Sequence, residues 1–206
     1  MLAFSQATKG KVTYDVFVSS DDPAMSAYVD QMDNSLLEIF FSDGKTRTNF
    51  FMGEMMTTMT TNIKGQDTSL VLIDGMMGKI AMKVTDADID DERRMAQEKR
   101  EIELVDESKK VMGYTCKKAI ITEAGGEESV VWYTDEILPS HREGDYLHKE
   151  IPGLPLEMYS TRGKMEFKME AFEFKGKLKK EAEIFSLEIP AGYTLKSMDE
   201  MKQFGR

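Results

Sequence analysis

Thioether sulfur is the most concentrated chemical function in this chain. Seventeen of its 206 residues are methionine. The run Met52-Gly53-Glu54-Met55-Met56-Thr57-Thr58-Met59 holds four of them, Met76, Met77 and Met82 follow, and Met165 and Met169 lie further on. Thioethers are soft ligands that suit Cu(I). They are also flexible and polarizable, and fill irregular apolar space. On a strand, Met52 and Met56 share one side while Met55 and Met59 take the other. A compact three-sulfur site would therefore need a loop at Gly53. The plainer reading is adaptable packing along the concave face of a sheet.

Other groupings are weaker. Asp86-x-Asp88-x-Asp90 opens like a calcium loop, but its sixth position is Asp91 instead of Gly and its twelfth is Gln97 instead of Glu, so the bidentate ligand is missing. His141 and His148 share a loop with Glu143, Asp145 and Glu150, at a spacing that matches no compact metal motif. Cys116 lies mid-strand, with Lys117 turned to the other side, and reads as a small buried hydrophobe rather than a reactive thiol. There is no Gly-x-Ser-x-Gly nucleophile elbow and no phosphate-cradling glycine motif. The expectation is a non-enzymatic protein without a cofactor or a metal site.

Composition narrows the partners. Thirty-seven acids against 27 bases give a net charge of −10, which disfavours nucleic acid and a polybasic grip on anionic lipid. No run of 18 apolar residues is present, so no transmembrane helix is expected. One cysteine excludes an intrachain disulfide. The opening Met1-Leu2-Ala3-Phe4-Ser5-Gln6-Ala7 has small residues at Ser5 and Ala7 that fit a signal-peptidase site. Residues 1–7 read as the residual end of a signal peptide, and 8–206 as a single β-rich domain.

The elements that must position these residues are mostly strands. Val12, Tyr14, Val16 and Val18 alternate with polar residues over 11–19, with Phe17 the exception, as in a half-buried antiparallel strand. Similar alternation marks 35–41, 46–52, 55–63, 69–74, 79–85, 101–107, 114–123, 128–134, 156–161, 164–174 and 184–189. Asp43-Gly44 supplies the positive φ of a hairpin turn. Phe172 and Phe174 fall out of phase with Met165, Phe167, Met169 and Ala171, which a β-bulge near Ala171 would repair. Short helices are expected at 24–32 and 197–204. Acids at 86–92 followed by bases at 93–100 suit a helix dipole. Ten to twelve short strands joined by tight turns make a sheet that must curl.

Several segments together resemble a known group: Gly10-Lys11-Val12-Thr13-Tyr14, Met55 to Thr61, Met76-Met77-Gly78-Lys79, Met112 to Ala119, Val131-Trp132-Tyr133-Thr134, Ile151 to Met158 and Phe185 to Tyr193. The chain is similar to Met-rich, exported domain-of-unknown-function proteins of Gram-negative envelopes, close to the GLPGLI family and distantly like the LolA/LolB lipoprotein carriers. That resemblance implies an unclosed β-barrel with helices near its mouth, in the periplasm or at the outer membrane.

The fold class expected is mainly β (α+β): a curved antiparallel sheet forming an incomplete barrel, LolA/LolB-like, with one or two short helices. The expected function is binding of a lipid or other apolar small molecule on the concave face, lined by Phe50, Met52, Met59, Met82, Met165, Phe167 and Met169. A Met-based Cu(I) protein and a structural interaction module with a fully packed interior are the alternatives. Pro139 to Pro155, long for a hairpin connection, is the expected lid or partner contact.

Overall fold

The computed structural model describes residues 6–88, 99–142 and 146–204. Period-two alternation becomes β1 (Gly10–Ser20), β2 (Ser35–Ser42), β3 (Lys45–Met52), β4 (Met56–Ile63), β5 (Thr68–Gly75), β6 (Gly78–Thr85), β7 (Glu101–Val111), β8 (Tyr114–Thr122), β9 (Glu128–Thr134), β10 (Leu154–Arg162) and β11 (Met165–Lys175), and a two-residue β12 (Thr194–Leu195) joins them. They make one twelve-stranded sheet in the order β12-β6-β5-β4-β3-β2-β1-β11-β10-β9-β8-β7. The first wing meanders outward from β1 to β6. The second begins at the far edge with β7 and meanders back, so that β11 closes antiparallel on β1. Among these twelve strands of the described residues only β12 runs parallel, against β6. The sheet ends at β7 and β12 without joining them. This is the open, mainly antiparallel sheet with a few short helices that the strand pattern requires.

Turn chemistry sets the register. Asp43 and Gly44, at φ 42° and 75°, make the β2–β3 hairpin the sequence predicts. The bulge also forms: Thr13 pairs with Glu173 and Tyr14 with Ala171, leaving Phe172 as the extra residue. It returns Phe174 to the face of Val12, where its ring stacks on Phe41 at 6.3 Å.

Two expectations change, and a third lies mostly outside the described residues. The strand predicted at 184–189 is instead the helix Glu181–Ile184 followed by irregular chain. Its apolar alternation serves packing and not a ladder: Leu187, Ile189 and Tyr193 lie on Leu70, Leu72 and Ala81 of the sheet. Of the helix predicted after Asp86, only a 3-10 turn at Asp86–Asp88 falls within the described residues; 89–98 lies outside them. The early helix is split into a 3-10 turn, Pro23–Met25, and a short α-helix, Ser26–Gln31.

The long loop after β9 is neither lid nor free surface. Ile137 and Leu147 pack with Val12, Tyr14, Val16, Leu37, Ile39 and Phe41, and Ile151 packs with Ala119, Ile121, Val131 and Tyr133. The loop fills one face of the sheet from above. Such filling is what a curled sheet needs on its inner side, because an unpacked apolar face loses dispersion contacts and the transfer free energy of burial.

Candidate functional site

The ladder registers assign each predicted site residue to a face. Tyr14 pairs with Leu37, Leu37 with Phe50, Phe50 with Thr58, Thr58 with Ile73 and Ile73 with Ile80. Directly paired residues share a face, and alternate residues along a strand return to it. Phe50, Met52, Met82, Met165, Phe167 and Met169 therefore lie on the same face as Tyr14. Met59 does not. It pairs with Asn49 and Leu72, which puts it on the opposite face, packed against Leu70, Leu72 and Ala81. Its sulfur accepts a hydrogen bond from Arg47 Nη2 at 2.8 Å. The reason is parity: Met52 and Met59 sit seven residues apart across a turn that pairs Met52 with Met56.

One cross-strand row carries a methionine on four strands. Met158 pairs with Met169, Met169 with Val16, Val16 with Ser35, Met52 with Met56, and Met56 with Gly75. Ser35 stands beside the end of β3, since its Oγ accepts from Gly53 N at 3.3 Å. Toward the 135–153 loop from this row, the face is filled and Val12, Tyr14, Leu37 and Ile39 are buried. At the row and away from the loop, Met158, Met52, Met56, Val18, Phe167 and Met165 are only half-buried. Here β1 runs on past the start of β2, and a cleft of about 420 Å³ opens beside Val16, Val18, Val29 and Met32.

The opposite face holds an array that sequence reasoning missed. Lys168 Nζ lies 5.7 Å from the ring centre of Phe17 and 5.6 Å from that of Tyr159. Lys109 Nζ lies 5.9 Å from Tyr159 and 4.5 Å from Trp132, and Lys118 lies 6.0 Å from Trp132. Glu157, nearly buried, accepts from Lys109 at 2.6 Å. Such cation–π contacts contribute about 0.5–1 kcal/mol each at exposed sites. The signal in the sequence was Phe17, the one aromatic that broke the alternation of β1. Trp132 and Tyr133 take opposite faces: Tyr133 is in the core, and Trp132 lies under the two lysines.

The remaining groupings resolve into structural roles. Asp88 accepts from both the backbone N and Oγ1 of Thr85 at 2.7 Å; Asp90 lies outside the described residues. His148 is buried, with Nδ1 3.1 Å from Arg100 Nη1. A guanidinium can only donate, so Nδ1 is the acceptor and carries no proton. Among the described residues no cluster of three or more His, Cys, Asp or Glu side chains could hold a metal ion. Cys116 is fully buried, and burial pushes its thiol up to about 11, away from the reactive range. Among the described residues no helix is long and apolar enough to cross a membrane.

Comparison with known proteins places this arrangement. The fold is similar to that of PNGF-II, solved in two crystal forms: TM-score 0.56 at 14% identity over 96% of this chain, and 0.55 at 16% identity over 96%. The chain spans about a third of PNGF-II, 32% and 33% of the two solved chains. MucB overlaps 93% of this chain and 61% of its own, with TM-score 0.44 and 13% identity. No curated protein matches the sequence. The family match is not specifically to GLPGLI proteins. Residues 60–183, from β4 to the helix Glu181–Ile184, match the N-terminal domain of the N-glycanase peptide family, and the chain belongs to that family.

Proposed function

We propose that the chain is a non-catalytic binding domain of the Gram-negative cell envelope, periplasmic or associated with the outer membrane, that takes an apolar ligand such as an acyl chain at the unfilled end of its inner face. The observation that carries this reading is the cross-strand row. Flexible thioethers from Met158, Met169, Met52 and Met56, with Phe167 and Phe50 on neighbouring rows, present a deformable apolar floor on one face. The adjacent cleft, about 420 Å³, has the volume expected of a ligand site, with Val16, Val18, Val29 and Met32 in its lining alongside Asp15, Asp30 and Asp33. The corresponding region of PNGF-II is about a third of that protein, and by analogy with such a region this domain would hold a substrate or partner and not act on it.

Lipid extraction and native mass spectrometry of the purified chain test the reading, together with titration of a fluorescent fatty acid. The expected result is one bound apolar molecule, with affinity reduced about tenfold, roughly 1.4 kcal/mol, by Met52→Ser combined with Phe167→Ser. No apolar ligand recovered and no fatty-acid binding would remove it. A second reading, an interaction module with a packed interior, is favoured by the loop that fills the upper part of the same face; it becomes the better account under that negative result.

A further inference from the structure

The β3–β4 and β5–β6 hairpins stand side by side at one end of the sheet, and their turns expose methionine. Met76 and Met77 form the tip between Gly75 and Gly78 and are 89% and 64% exposed; Met55, in the neighbouring turn, is 38% exposed. Nothing in the turn requires an apolar residue. The pairing of Gly75 with Gly78 closes the hairpin, and Gly78 at φ 89° supplies the positive φ. Asn, Asp or Gly would serve the two tip positions at no hydrophobic cost.

Methionine alone supplies these apolar side chains. Met52 and Met56 are cross-strand partners at the base of the first turn, and Met55 N donates to Met52 O at 3.1 Å to close it. Met56 pairs with Gly75, and the absent side chain there leaves the thioether of Met56 against the Gly75 backbone: a Cβ at Gly75 would meet Met56 Cγ at 3.2 Å. The facing edges of the two turns, at Met56 and Gly75, are therefore one strand spacing apart, about 5 Å. A methionine side chain reaches about that far, so sulfurs from both turns can meet. The first turn is also fixed from below, because Gly53 approaches the carbonyls of Gln31 and Asp33. Flexible methionine also suits an adaptable apolar contact, but such a contact would not need to exclude Leu, Ile, Phe and Trp. A surface built from thioethers alone has a chemical property the other apolar residues lack, soft coordination.

We propose that Met52, Met55, Met56, Met76 and Met77, brought together by these adjacent turns, form a thioether site for Cu(I). Met59 takes no part: it lies on the other face, and its sulfur already accepts from Arg47. The site holds a monovalent soft cation with neutral ligands. The nearby carboxylate of Asp74 is paired with Lys79 at 2.9 Å, so it does not convert the site to one for a hard divalent ion. The proposal goes beyond the apolar-ligand reading. Met52 and Met56 belong to both, whereas Met76 and Met77 belong only to this one.

The test is an anaerobic titration of the full chain with Cu(I) in competition with bicinchoninate. A parallel titration uses Ag(I), a redox-inert stand-in, with methyl NMR of ¹³C-methyl-methionine protein. The expected result is one equivalent bound, with shifts at the methyls of Met55, Met76 and Met77 and none at Met59 or Met165. Met76→Leu with Met77→Leu conserves volume and is expected to weaken Cu(I) binding about tenfold or more while leaving fatty-acid binding unchanged. Failure to compete with the chelator, an unchanged affinity in the double Leu variant, or shifts confined to other methionines would each overturn the proposal. Loss of fatty-acid binding in a Phe167→Ser variant that keeps Cu(I) separates this site from the apolar face.

Discussion

Gly153 lies where the long loop enters β10, and a Cβ there would stand 2.2 Å from the carbonyl oxygen of Thr134. That oxygen belongs to backbone and cannot swing away. Gly153→Ala should therefore destabilise the fold by roughly 3 kcal/mol, a typical cost of forced overpacking; a urea midpoint equal to that of the parent would contradict the close approach. Cys116 makes a pH-dependent contribution. Its thiol is raised from the usual 9.0 to about 11 by burial, so above about pH 9 the unfolded chain releases a proton that the folded chain keeps. Stability is thus fully present below that value and falls as pH rises toward 11. Cys116→Ala should flatten this stretch, worth on the order of 2 kcal/mol, as read from urea titrations across the range. Tyr14 acts in the same direction higher up: burial lifts its hydroxyl above the usual 10.0, and that hydroxyl donates to Pro155 O at 2.7 Å. Neither burial was visible as a number in the sequence, although the alternation around Tyr14 and Cys116 already placed both on inward positions.

Among the elements, the C-terminal strap is the clearest departure from the strand pattern. Residues 184–189 alternate as a strand does, yet β6 accepts only Thr194 and Leu195 as ladder partners. The alternation is spent on face packing, and Arg47 anchors the crossing. Its Nη1 donates to Ile184 O at 3.0 Å, its Nε to Asn49 Oδ1 at 2.9 Å, and its Nη2 to the Met59 sulfur. At the other end of the strap's first helix, Glu181 pairs with Lys9 and accepts from Ser42. Arg47→Ala should leave the sheet intact, cost about 1–2 kcal/mol through an unpaired carbonyl, and raise amide exchange across 181–195 more than in β1–β3. Equal protection of the strap in parent and variant would show that apolar contact alone holds it. The bulge at Phe172 was legible for a different reason: two aromatics out of phase on an otherwise regular strand have few structural explanations.

At the scale of the whole molecule, a wide twisted sheet has an inner face that some part of the chain must cover. Here one connection, the loop between β9 and β10, covers the central strands with Ile137, Leu147 and Ile151. Leu147→Ser should cost about 2–5 kcal/mol, following large-to-small core changes, and increase binding of a dye that reports exposed apolar surface. Because the methionine row lies beyond the loop, fatty-acid affinity should change less than twofold, a few tenths of a kcal/mol. A parallel collapse of fatty-acid binding would place the ligand under the loop instead. The loop reads from sequence as a lid or partner contact because its length exceeds a hairpin connection. Its apolar residues, spaced irregularly and separated by charges, carry no period that announces burial.

Strand number, hairpin positions, the bulge and the open antiparallel architecture follow from local pattern: alternation at period two, Asp-Gly and Gly-rich turns, and too many strands for a flat sheet. These are short-range properties, and each is written within a few adjacent residues. Which methionines share a face across hairpins, what covers that face, and which turns become neighbours depend on register between strands. Register is a sum over contacts between residues far apart in the chain, so only the tertiary structure could move Met59 to the other side and bring Gly75, at the base of the Met76–Met77 turn, beside Met56.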